Sequence, residues 1–386
     1  MNITNHRFIV FGTYSSNTLG QIRSLGIMGI KPTAVLVYKN LYRIDKCKYI
    51  GERYDVTDIA SGLALIVEKF GHEPNKPFIY TDRDDIMALL DSKYDELKDK
   101  FHFWNAGAQG RLNIFLSKNE QLKLAARCGF AIPKTEVVKV GEMPKTLQYP
   151  IFTKAVDSLS FWWKGQAAVC RDEKDLQAVF NKIDASELML QEYVDKCDET
   201  PIEGISIRGG EEVALFCQTK NYRMPSDTYG TYRFIEPFEN KEMEEIIKRY
   251  IKEVGYTGIF DIDIIIDKSG RQFFLETNFR IGQPNYAFTL FGANIPYIYA
   301  KAVLEGRIPR EEVHFTQKRP FNLMYELEDF KFAVMGKRIS LRQWIREAKN
   351  SDCYMFYDKK DKRPLYYTLW SKAMYKLTKP FTKKRY

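Results

Sequence analysis

Residues 258–282 of the chain, GIFDIDIIIDKSGRQFFLETNFRIG, predict a pair of adjacent strands. Ile259–Asp267 is apolar and rich in β-branched residues, which is typical of a buried strand. Gln272–Thr277 has a similar character, and the short turn Lys268–Gly270 lies between the two runs. Two such runs joined by a loop that contains glycine predict a β-hairpin.

The predicted hairpin carries acidic and polar side chains on one face. Residues two apart share a face of a strand, so Asp261 and Asp263 project together, as do Glu276 and Asn278. The short loop brings Asp263 beside Glu276, and Arg280 lies two residues after Asn278. Oxygen ligands on adjacent strands suit Mg²⁺, which takes one or two carboxylates plus waters and phosphates, and an arginine suits a phosphoryl group. The alternative is a hairpin whose acidic face is exposed to water.

The first hundred residues predict a different architecture, in which strands alternate with helices. Apolar strands are predicted at residues 7–12, 32–38 and 77–80, with helical segments between them. This alternation indicates a parallel sheet with helices on its faces. Gly12 is followed by no further glycine before Gly20, so the GxGxxG fingerprint is absent and a dinucleotide site is not expected.

A second unit is predicted to follow. Ser117 and Glu120 have the spacing of a capping box at the start of a helix over Lys118–Cys128. Tyr149–Lys154 is predicted to be a strand that ends in a lysine, and Leu188–Val194 a strand with polar residues in its middle.

A third unit is richer in strands. Glu212–Gln218 is predicted to be a strand, Thr219–Tyr232 a polar and aromatic loop, and Lys241–Val254 an amphipathic helix that precedes the hairpin. Beyond Pro309 the pattern is less regular.

The charge of the chain is unevenly distributed. The 386 residues include 59 basic and 50 acidic side chains, for a net charge of +9. Residues 359–386 hold ten of the basic residues and a single acid, Asp361, so residues 1–358 are neutral overall. A protein that binds nucleic acid more often carries a basic stripe on its body, and no nucleic-acid partner is expected.

The basic tail itself predicts a helix with two faces. Six apolar or aromatic residues fall on one helical face: Tyr366, Leu369, Trp370, Ala373, Met374 and Leu377. Lys372, Lys376 and Lys379 lie beside this face, and Pro380 is a stop signal. Such a helix can lie on an anionic membrane surface. The alternative is a helix that packs on the body of the protein with its lysines in water.

The composition of the chain excludes several classes of protein. Hydrophobic residues make up 45% of the chain, which excludes intrinsic disorder, and no run of apolar residues is long enough for a spanning helix. The polar first residues give no sign of a secretory signal, and the six cysteines form no metal-binding pattern. Together these features predict a cytoplasmic chain with reduced thiols.

The motif at Leu275–Gly282, LETNFRIG, resembles the E-x-N-x-R-x-G motif of the ATP-grasp superfamily, with Phe279 where proline is usual. Further segments resemble the family in order and spacing across residues 5–306: Arg23–Gly26 followed by Gly29-Ile30, Lys118–Pro133, Tyr149–Lys154 and Gln191–Val194. Two departures stand out. Ala155–Gly165 has a single glycine and two tryptophans where the family has a glycine-rich phosphate loop, and Asp263 stands where glutamate is commoner.

The resemblance implies a fold class and a domain order. The expected fold is α/β, with a Rossmann-like pre-ATP-grasp domain, a two-lobed ATP-grasp domain and a small basic C-terminal appendix. The expected boundaries are 1–112 for the first domain, 113–193 for the N-lobe, 194–310 for the C-lobe with the metal site, and 311–386 for the appendix.

It also implies roles for individual residues. Lys154 and Lys118 are expected to contact the phosphates of ATP, although each could also be an ordinary surface lysine. Gln191, Glu192, Tyr193 and Val194 are expected to bind the adenosine, and Asp263, Glu276 and Asn278 to hold Mg²⁺, with Mn²⁺ as the alternative ion. Arg280 balances phosphate charge. Ser158, Ser160 or Lys164 are candidates to replace the glycine-rich loop.

The branch of the superfamily is indicated by two further segments. Lys220–Pro225 followed by Gly230–Tyr232 resembles the carbamoyl-phosphate-synthetase-like branch, which implies that Lys220 and Arg223 approach the transferred phosphate. The residues after Arg280 look most like the D-aspartate ligase subgroup, which joins an amino acid to a cell-wall precursor.

The expected activity is an ADP-forming carboxylate–amine ligase that works through an acyl phosphate on small-molecule substrates. The tail would hold it at the inner face of the membrane, where envelope precursors are made. One alternative is an ATP- and bicarbonate-dependent carboxylase or synthetase of the same fold. A second is a non-catalytic nucleotide-binding protein, suggested by the unusual tryptophan loop.

Overall fold

The computed structural model describes residues 3–156, 167–224 and 230–378, and its first part is a parallel sheet flanked by helices. The elements of this part are β1 (Phe8–Thr13), α1 (Ser16–Gly26), β2 (Thr33–Val37), β3 (Glu52–Asp55), α2 (Ile59–Phe70), β4 (Phe78–Tyr80), α3 (Asp84–Ser92), α4 (Tyr94–Leu97) and α5 (Arg111–Ile114). The strand order is β3-β2-β1-β4 with every pair parallel, which confirms the predicted parallel sheet.

The order of these strands creates a crevice. The chain adds β2 and β3 on one side of β1, and then crosses to place β4 on the other side. In open α/β sheets, ligands bind beyond the carboxyl ends of the strands at such a switch point. The crevice between the ends of β1 and β4 is therefore the natural ligand site of this part.

The middle part is an antiparallel sheet with a helix packed on it. Its elements are α6 (Lys118–Cys128), β5 (Thr135–Lys139), β6 (Ile151–Lys154), β7 (Ala168–Cys170), α7 (Glu173–Phe180) and β8 (Glu187–Glu192). The strand order is β5-β8-β6-β7. Buried side chains of this sheet and α7 form an apolar cluster separate from the main core, so this lobe has a core of its own.

The predicted helix over Lys118–Cys128 is confirmed, but its predicted capping box is wrong. Ser117 occupies the N-cap position of α6, yet its side chain accepts no hydrogen bond from the first turn. Glu120 forms an ion pair with Lys123 at 2.8 Å instead of reaching back to the cap. Gly129 ends the helix with a φ of 101°, in the left-handed region that favours glycine.

The third part is built on one large sheet. Its elements are β9 (Lys196–Ile207), β10 (Glu212–Arg223), β11 (Tyr232–Pro237), α8 (Lys241–Val254), β12 (Gly258–Asp267), β13 (Gln272–Asn278), α9 (Asn285–Phe291), α10 (Ile295–Glu305), β14 (Phe321–Met324), α11 (Glu326–Asp329), a π-helix (Phe330–Met335), α12 (Leu341–Lys349), β15 (Cys353–Tyr354) and α13 (Arg363–Thr378). The strand order is β13-β12-β9-β10-β11-β14-β15, which places the predicted hairpin at one end.

The predicted loop over Thr219–Tyr232 is wrong at both ends. Strand β10 continues to Arg223 because it pairs with β11, with Asn221 opposite Arg233. Strand β11 then begins at Tyr232. Strand pairing of this kind overrides a polar composition, because β propensity depends mainly on packing against neighbouring strands.

The C-terminal segment contacts both the large sheet and the first part of the molecule. Strand β14 pairs with β11, and β15 pairs with β14, so residues that were expected to form an appendix extend the large sheet. Asp361 forms an ion pair with Arg23 of α1 at 3.0 Å, and both side chains are fully buried. The predicted domain boundaries stay predictions, although the one at 112/113 falls within α5.

None of the helices that the structure describes combines the length and apolar composition needed to span a bilayer.

We expect the Arg23→Met variant to lose about 3–5 kcal/mol of unfolding free energy, because it leaves the Asp361 carboxylate buried without its cation. Urea unfolding followed by circular dichroism measures the loss. The matched control is Lys268→Ala, which breaks the exposed ion pair with Asp195 and should cost less than about 1 kcal/mol. Equal losses in the two variants would contradict the structural role of the buried pair.

Candidate functional site

A row of acidic and amide side chains crosses three neighbouring strands of the large sheet. The register places Asp261 of β12 opposite Glu203 of β9 on one side and Asn278 of β13 on the other. It places Asp263 opposite Glu276. Since opposed residues share a face of the sheet, all five side chains point to the same side. The structure thus brings together the predicted metal ligands Asp263, Glu276 and Asn278.

Glu203 is part of this row and was missed by the sequence analysis. Its side chain is buried, and burial raises the pKa of its carboxyl group to about 8, against the opposing effect of the Gly282 N–H and of Arg280. The N–H of Gly282 donates to both of its oxygens at 3.1 Å. The detectable signal was an acidic residue between Ile202 and Gly204 in the second half of β9, PIEGISI, where a buried charge would need compensation.

The glycine of the motif is required by this arrangement. A β-carbon at position 282 would collide with Glu203 Oε2 and would lie 3.0 Å from Asp261 Oδ2. Gly282 therefore allows the backbone to approach two carboxylates closely and to donate its N–H to one of them. The last position of the E-x-N-x-R-x-G motif thus has a steric explanation in this chain.

The two aspartates of the row are held in an unusual electrostatic state. Burial raises the pKa of both Asp261 and Asp263, and neighbouring carboxylates raise it further. Asp263 accepts a hydrogen bond from the Asn278 side chain at 3.2 Å. Asp261 Oδ1 is buried and has no hydrogen-bond partner among the described residues. A buried carboxylate oxygen without a donor is a position at which a bound cation would be stabilised.

Two lysines face the acidic row. Lys118 at the start of α6 forms an ion pair with Glu276 at 2.5 Å. Burial alone would raise the pKa of Glu276, but Lys118, Lys154 and Arg280 lower it to about 2. Glu276 is therefore ionised at neutral pH, whereas the pKa values of its acidic neighbours are raised.

Lys154 differs from Lys118 because its charge has no ion-pair partner in the part of the chain that the structure describes. It ends β6, its side chain is buried, and its Nζ has no hydrogen-bond partner among the described residues. Burial and the nearby charge of Lys118 lower the pKa of Lys154 to about 8. A bound anion would stabilise the charged form of this amino group and accept its hydrogen bonds. The position therefore favours anion binding.

Arg280 connects the hairpin to the first part of the protein. Its guanidinium donates to Asp84 Oδ1 at 3.0 Å and to Asn278 Oδ1 at 2.9 Å. Asp84 begins α3, directly after β4, so this contact brings the acidic row to the crevice beside β4. Burial would lower the pKa of Arg280, but Asp84, Asp261 and other acids raise it, so it remains charged.

The crevice itself contains a second set of polar side chains. Asp82 follows β4 and accepts hydrogen bonds from Ser15 at 2.7 Å and from Thr18 at 3.1 Å. Burial raises the pKa of Asp82, while Ser15, Thr18 and Arg280 oppose the increase. Residues 81–85, TDRDD, are mainly acidic, and no role was predicted for them from the sequence. Its position at the switch point of the sheet now makes it a candidate substrate contact.

The predicted adenosine-binding segment lies at the end of β8. Gln191 is buried and donates to Thr135 Oγ1 at 3.0 Å. The N–H of Glu192 donates to the carbonyl of Lys134, and the N–H of Tyr193 to the carbonyl of Pro150 at 3.3 Å. The side chain of Tyr193 is exposed and that of Val194 is half-buried. Their role in binding adenosine stays a prediction.

Lys220 and Arg223 are not brought together with the acidic row. Alternate residues of β10 face the site, and Lys220 is not one of them. Its side chain therefore lies on the opposite face of the sheet, where it pairs with Glu236 at 2.6 Å. Arg223 is held by Asp329 at 2.9 Å and by Glu347 at 2.6 Å. Their predicted contact with a transferred phosphate remains untested, and both side chains have protein partners instead.

Arg233 is a further residue that the sequence analysis missed. It lies opposite Asn221 on the site-facing side of β11, and its side chain is largely buried. Its Nε donates to the Gly230 carbonyl at 3.1 Å, and its guanidinium lies 5.3 Å from the ring centre of Tyr325. Its charge opposes the raised pKa values of Asp261 and Asp263. Arg233 is therefore better placed than Arg223 to contact an anion at the acidic row.

The residues present fit a magnesium ion that is shared with phosphates. Among the described residues no group of three or more His, Cys, Asp or Glu side chains is spaced to hold a metal by itself. Mg²⁺ commonly takes one or two carboxylates and completes its shell with waters and phosphate oxygens. The ionised Glu276 and the unpartnered oxygen of Asp261 match that requirement. The candidate replacements for the phosphate loop, Ser158, Ser160 and Lys164, lie outside the described residues.

Comparison with known proteins supports the fold. The solved structure of N5-carboxyaminoimidazole synthetase from Staphylococcus aureus matches with a TM-score of 0.63 at 16% identity, over 86% of this chain and 87% of that one. The chain has the ATP-grasp fold. A second structure of the same protein, complexed with ADP, matches this ATP-grasp fold with a TM-score of 0.62 at 15% identity, over 83% of this chain and 82% of that one. No family model matches the chain.

Two curated relatives confirm the resemblance to the ATP-grasp ligases. The N5-carboxyaminoimidazole ribonucleotide synthase of Aquifex aeolicus (strain VF5) is 27% identical over 252 residues, which cover 64% of this chain and 61% of the relative. The D-aspartate ligase of Enterococcus faecium (strain Aus0004) is 21% identical over 277 residues, which cover 66% of this chain and 64% of the relative. The match thus spans less than two thirds of the length of each relative.

We expect the raised pKa of Glu203 to make the folded protein less stable as the pH rises. The carboxyl group stays protonated in the folded state up to about pH 8 but ionises near its ordinary pKa when unfolded, so unfolding releases a proton between these values. Over that range its contribution falls by about 1.4 kcal/mol per pH unit. The Glu203→Gln variant should show a shallower decline and should be more stable than the wild type at pH 8.

Urea unfolding at a series of pH values from 5 to about 8 measures this difference. The control is Glu68→Gln, which replaces an exposed carboxylate of α2 and should keep the wild-type slope. A Glu203→Gln variant with the same slope as the wild type would show that Glu203 is ionised in the folded protein.

Proposed function

We propose that the protein is an ATP-dependent carboxylate–amine ligase. The observation that carries this proposal is the buried, unpartnered ammonium of Lys154, which faces the acidic row together with Lys118. A metal–nucleotide complex would satisfy both sides of this site. Its phosphates would pair with the unpartnered ammonium, and its metal would bind the carboxylates that lack hydrogen-bond donors. The ATP-grasp fold and the ADP complex of a structural neighbour support this assignment.

We propose the following contacts for ATP and its metal. Lys154 and Lys118 would bind the phosphates as point charges, and residues 191–194 would bind the adenosine. Asp263, Glu276 and Asn278 would hold Mg²⁺, or Mn²⁺ as the alternative ion, with Asp261 beside them. Most of the catalysis of phosphoryl transfer comes from positioning and charge neutralisation. The proposed mechanism therefore requires no nucleophilic side chain from the protein.

When bound with its metal, ATP would supply the terminal phosphoryl group that converts a substrate carboxylate into an acyl phosphate, and ADP would be released. Arg280 is held in place by Asp84 and Asn278, so it can stabilise the negative charge that builds up on the transferred group. Arg233 faces the same row from β11 and would hold the substrate carboxylate or the acyl phosphate. An amine then attacks the acyl carbon, a C–N bond forms, the bond to the phosphate oxygen breaks, and inorganic phosphate leaves.

We further propose that the acceptor lies in the crevice between β1 and β4. Arg280 connects the acidic row to this crevice through Asp84, and Asp82 is held beside it by Ser15 and Thr18. A carboxylate there could orient or deprotonate an attacking amine. The likeness to a D-aspartate ligase supports an amino acid such as D-aspartate as one substrate, and we propose a cell-envelope precursor as the other. Such a reaction would take place in the cytoplasm, at the inner face of the membrane.

A second candidate is an ATP- and bicarbonate-dependent carboxylase or synthetase on the same fold. The curated relative with the higher sequence identity favours this candidate, because the name of that relative indicates a product with a carboxyamino group. Release of ADP is the common readout of both candidates. A screen over D- and L-amino acids with peptide and cell-wall precursor acceptors, with and without bicarbonate, separates them. Nucleotide binding without ADP release under any of these conditions would favour a non-catalytic protein instead.

We expect the Glu276→Ala variant to abolish substrate-dependent ADP release while it leaves the fold intact. The substitution removes the ionised carboxylate that pairs with Lys118 and that would hold the metal. A coupled assay for ADP and circular dichroism measure the two effects. The matched control, Glu68→Ala, removes an exposed carboxylate and should retain wild-type activity. A folded Glu276→Ala protein that releases ADP at a near-normal rate would overturn the assignment.

We expect the affinity for ATP to fall as the pH rises above about 8. Lys154 loses its proton near that pH in the free protein, and phosphate binding requires the ammonium form. Binding therefore takes up one proton, and the affinity should fall about tenfold per pH unit between about pH 8 and the ordinary pKa of lysine. Fluorescence titration with a nucleotide analogue measures the slope.

The Lys154→Arg variant is the control for this effect. It keeps a cation at the position, and because arginine stays protonated throughout this range, the slope should disappear. An unchanged slope in this variant would show that another group takes up the proton.

A further inference from the structure

Exposed apolar side chains are concentrated in one region of the molecule. Of the nineteen large apolar side chains that are exposed in the described residues, eleven lie between Phe330 and Leu377. They belong to the π-helix Phe330–Met335, to α12 and to α13, and we call the surface of these three helices the basic apolar face. Trp370 is 60% exposed and Leu377 is 80% exposed. Such a concentration marks an interaction site rather than a random scatter.

Helix α13 turns its apolar stripe away from the body of the protein. The side of the helix that faces the body contains the buried residues Pro364 and Thr368, and Thr368 Oγ1 accepts a hydrogen bond from the Arg43 N–H at 2.8 Å. The predicted stripe lies on the exposed side, with members at Tyr366, Leu369, Trp370, Ala373, Met374 and Leu377. The structure thus combines the two alternatives from the sequence: the helix packs on the body and still exposes its apolar face.

Contacts through Tyr42 and Phe330 connect the three helices, and the ring centre of Phe330 lies 5.2 Å from that of Trp344 on α12. The ammonium of Lys372 on α13 lies 4.2 Å from the centre of the Tyr42 ring. The hydroxyl of Tyr42 donates to Glu328 of α11 at 3.1 Å, immediately before the π-helix. One side chain therefore contacts both α13 and the segment that leads to the π-helix, so their exposed residues lie near one another.

The charge of this surface is strongly positive. Residues 330–378 contain twelve lysines and arginines and four acids. Each of the four acids is bound by the rest of the protein: Glu347 by Arg223, Asp352 by Arg319, Asp358 by Tyr286 and Asp361 by Arg23. The acids are thus engaged with partners outside the three helices, and the field in front of the surface comes mainly from the lysines and arginines.

We propose that the basic apolar face binds the surface of a bilayer that contains anionic lipids. Tryptophan and tyrosine side chains are favoured at the boundary between lipid tails and headgroups, and lysines beside them reach the headgroup charge. Protein interfaces are depleted in lysine, so the lysine-rich composition favours headgroups over a protein partner. Lys362 and Lys376 lie near the two ends of the stripe on α13. This inference does not depend on the ligase chemistry.

Co-sedimentation of the full chain with vesicles tests the proposal. One set contains phosphatidylcholine alone, and the other contains phosphatidylcholine mixed with phosphatidylglycerol. We expect binding to the mixed vesicles only, with a loss of affinity as salt is added, because the Debye length shrinks. The Leu369→Ser/Trp370→Ser variant and the Lys362→Glu/Lys376→Glu variant should each bind about tenfold more weakly or worse.

Matched controls keep the test specific to this surface. Ile114→Ser removes a 55% exposed apolar side chain elsewhere on the protein and should bind like the wild type. Thermal unfolding of all variants confirms that they are folded, which is expected because the replaced side chains are exposed. ADP release is measured in parallel, so loss of vesicle binding with unchanged turnover separates this proposal from the proposed activity.

Two outcomes would overturn the proposal. One is the absence of binding to anionic vesicles, or binding that both surface variants retain. The other is a concentration-dependent dimer in sedimentation velocity that the Leu369→Ser/Trp370→Ser variant abolishes, because the apolar face would then be covered by a second copy of the chain.

Discussion

The burial of acidic side chains on an apolar sheet is the constraint on which the site depends. Glu203 and Asp261 are buried side by side across β9 and β12, which would be strongly unfavourable without compensation. The compensation comes from a backbone N–H at Gly282, from the charge of Arg280, and from raised pKa values that keep these acids partly protonated. Binding of a cation would supply the remaining compensation for the buried carboxylates. The incomplete compensation in the free site therefore favours binding of a ligand.

The same constraint fixes how the parts of the molecule meet. Arg280 must stay close to the acids to stabilise them, and it also forms an ion pair with Asp84 at the end of the parallel sheet. Lys118, at the start of the next part, pairs with Glu276, and Lys154 approaches from the small antiparallel sheet. Charges from all three parts therefore converge on one row of carboxylates.

Much of this site could be predicted from local sequence. The hairpin, the alternation of Asp261 and Asp263, and the position of Glu276 and Asn278 follow from strand periodicity, and the register confirms them. Glu203 and Arg233 were missed because their places in the site come from strand pairing: Glu203 lies opposite Asp261 of β12, and Arg233 lies opposite Asn221 of β10. Lys220 and Arg223 were expected at the phosphate because their segment resembles a basic loop of the carbamoyl-phosphate-synthetase-like branch, whereas strand pairing extends β10 and both side chains pair with other partners.

The sequence by itself determined the elements whose signals are local: the parallel and antiparallel strands, the helix over Lys118–Cys128, the motif around Glu276, and the amphipathic tail. The tertiary structure decided which charges meet. It placed Glu203 and Arg233 on the face of the large sheet that carries the acidic row, joined Arg280 to Asp84, and directed the apolar stripe of α13 outward by burying Thr368. The reason is physical: strand and helix periodicity are encoded within a few residues, whereas burial and charge pairing depend on residues that are distant in sequence and adjacent only after folding.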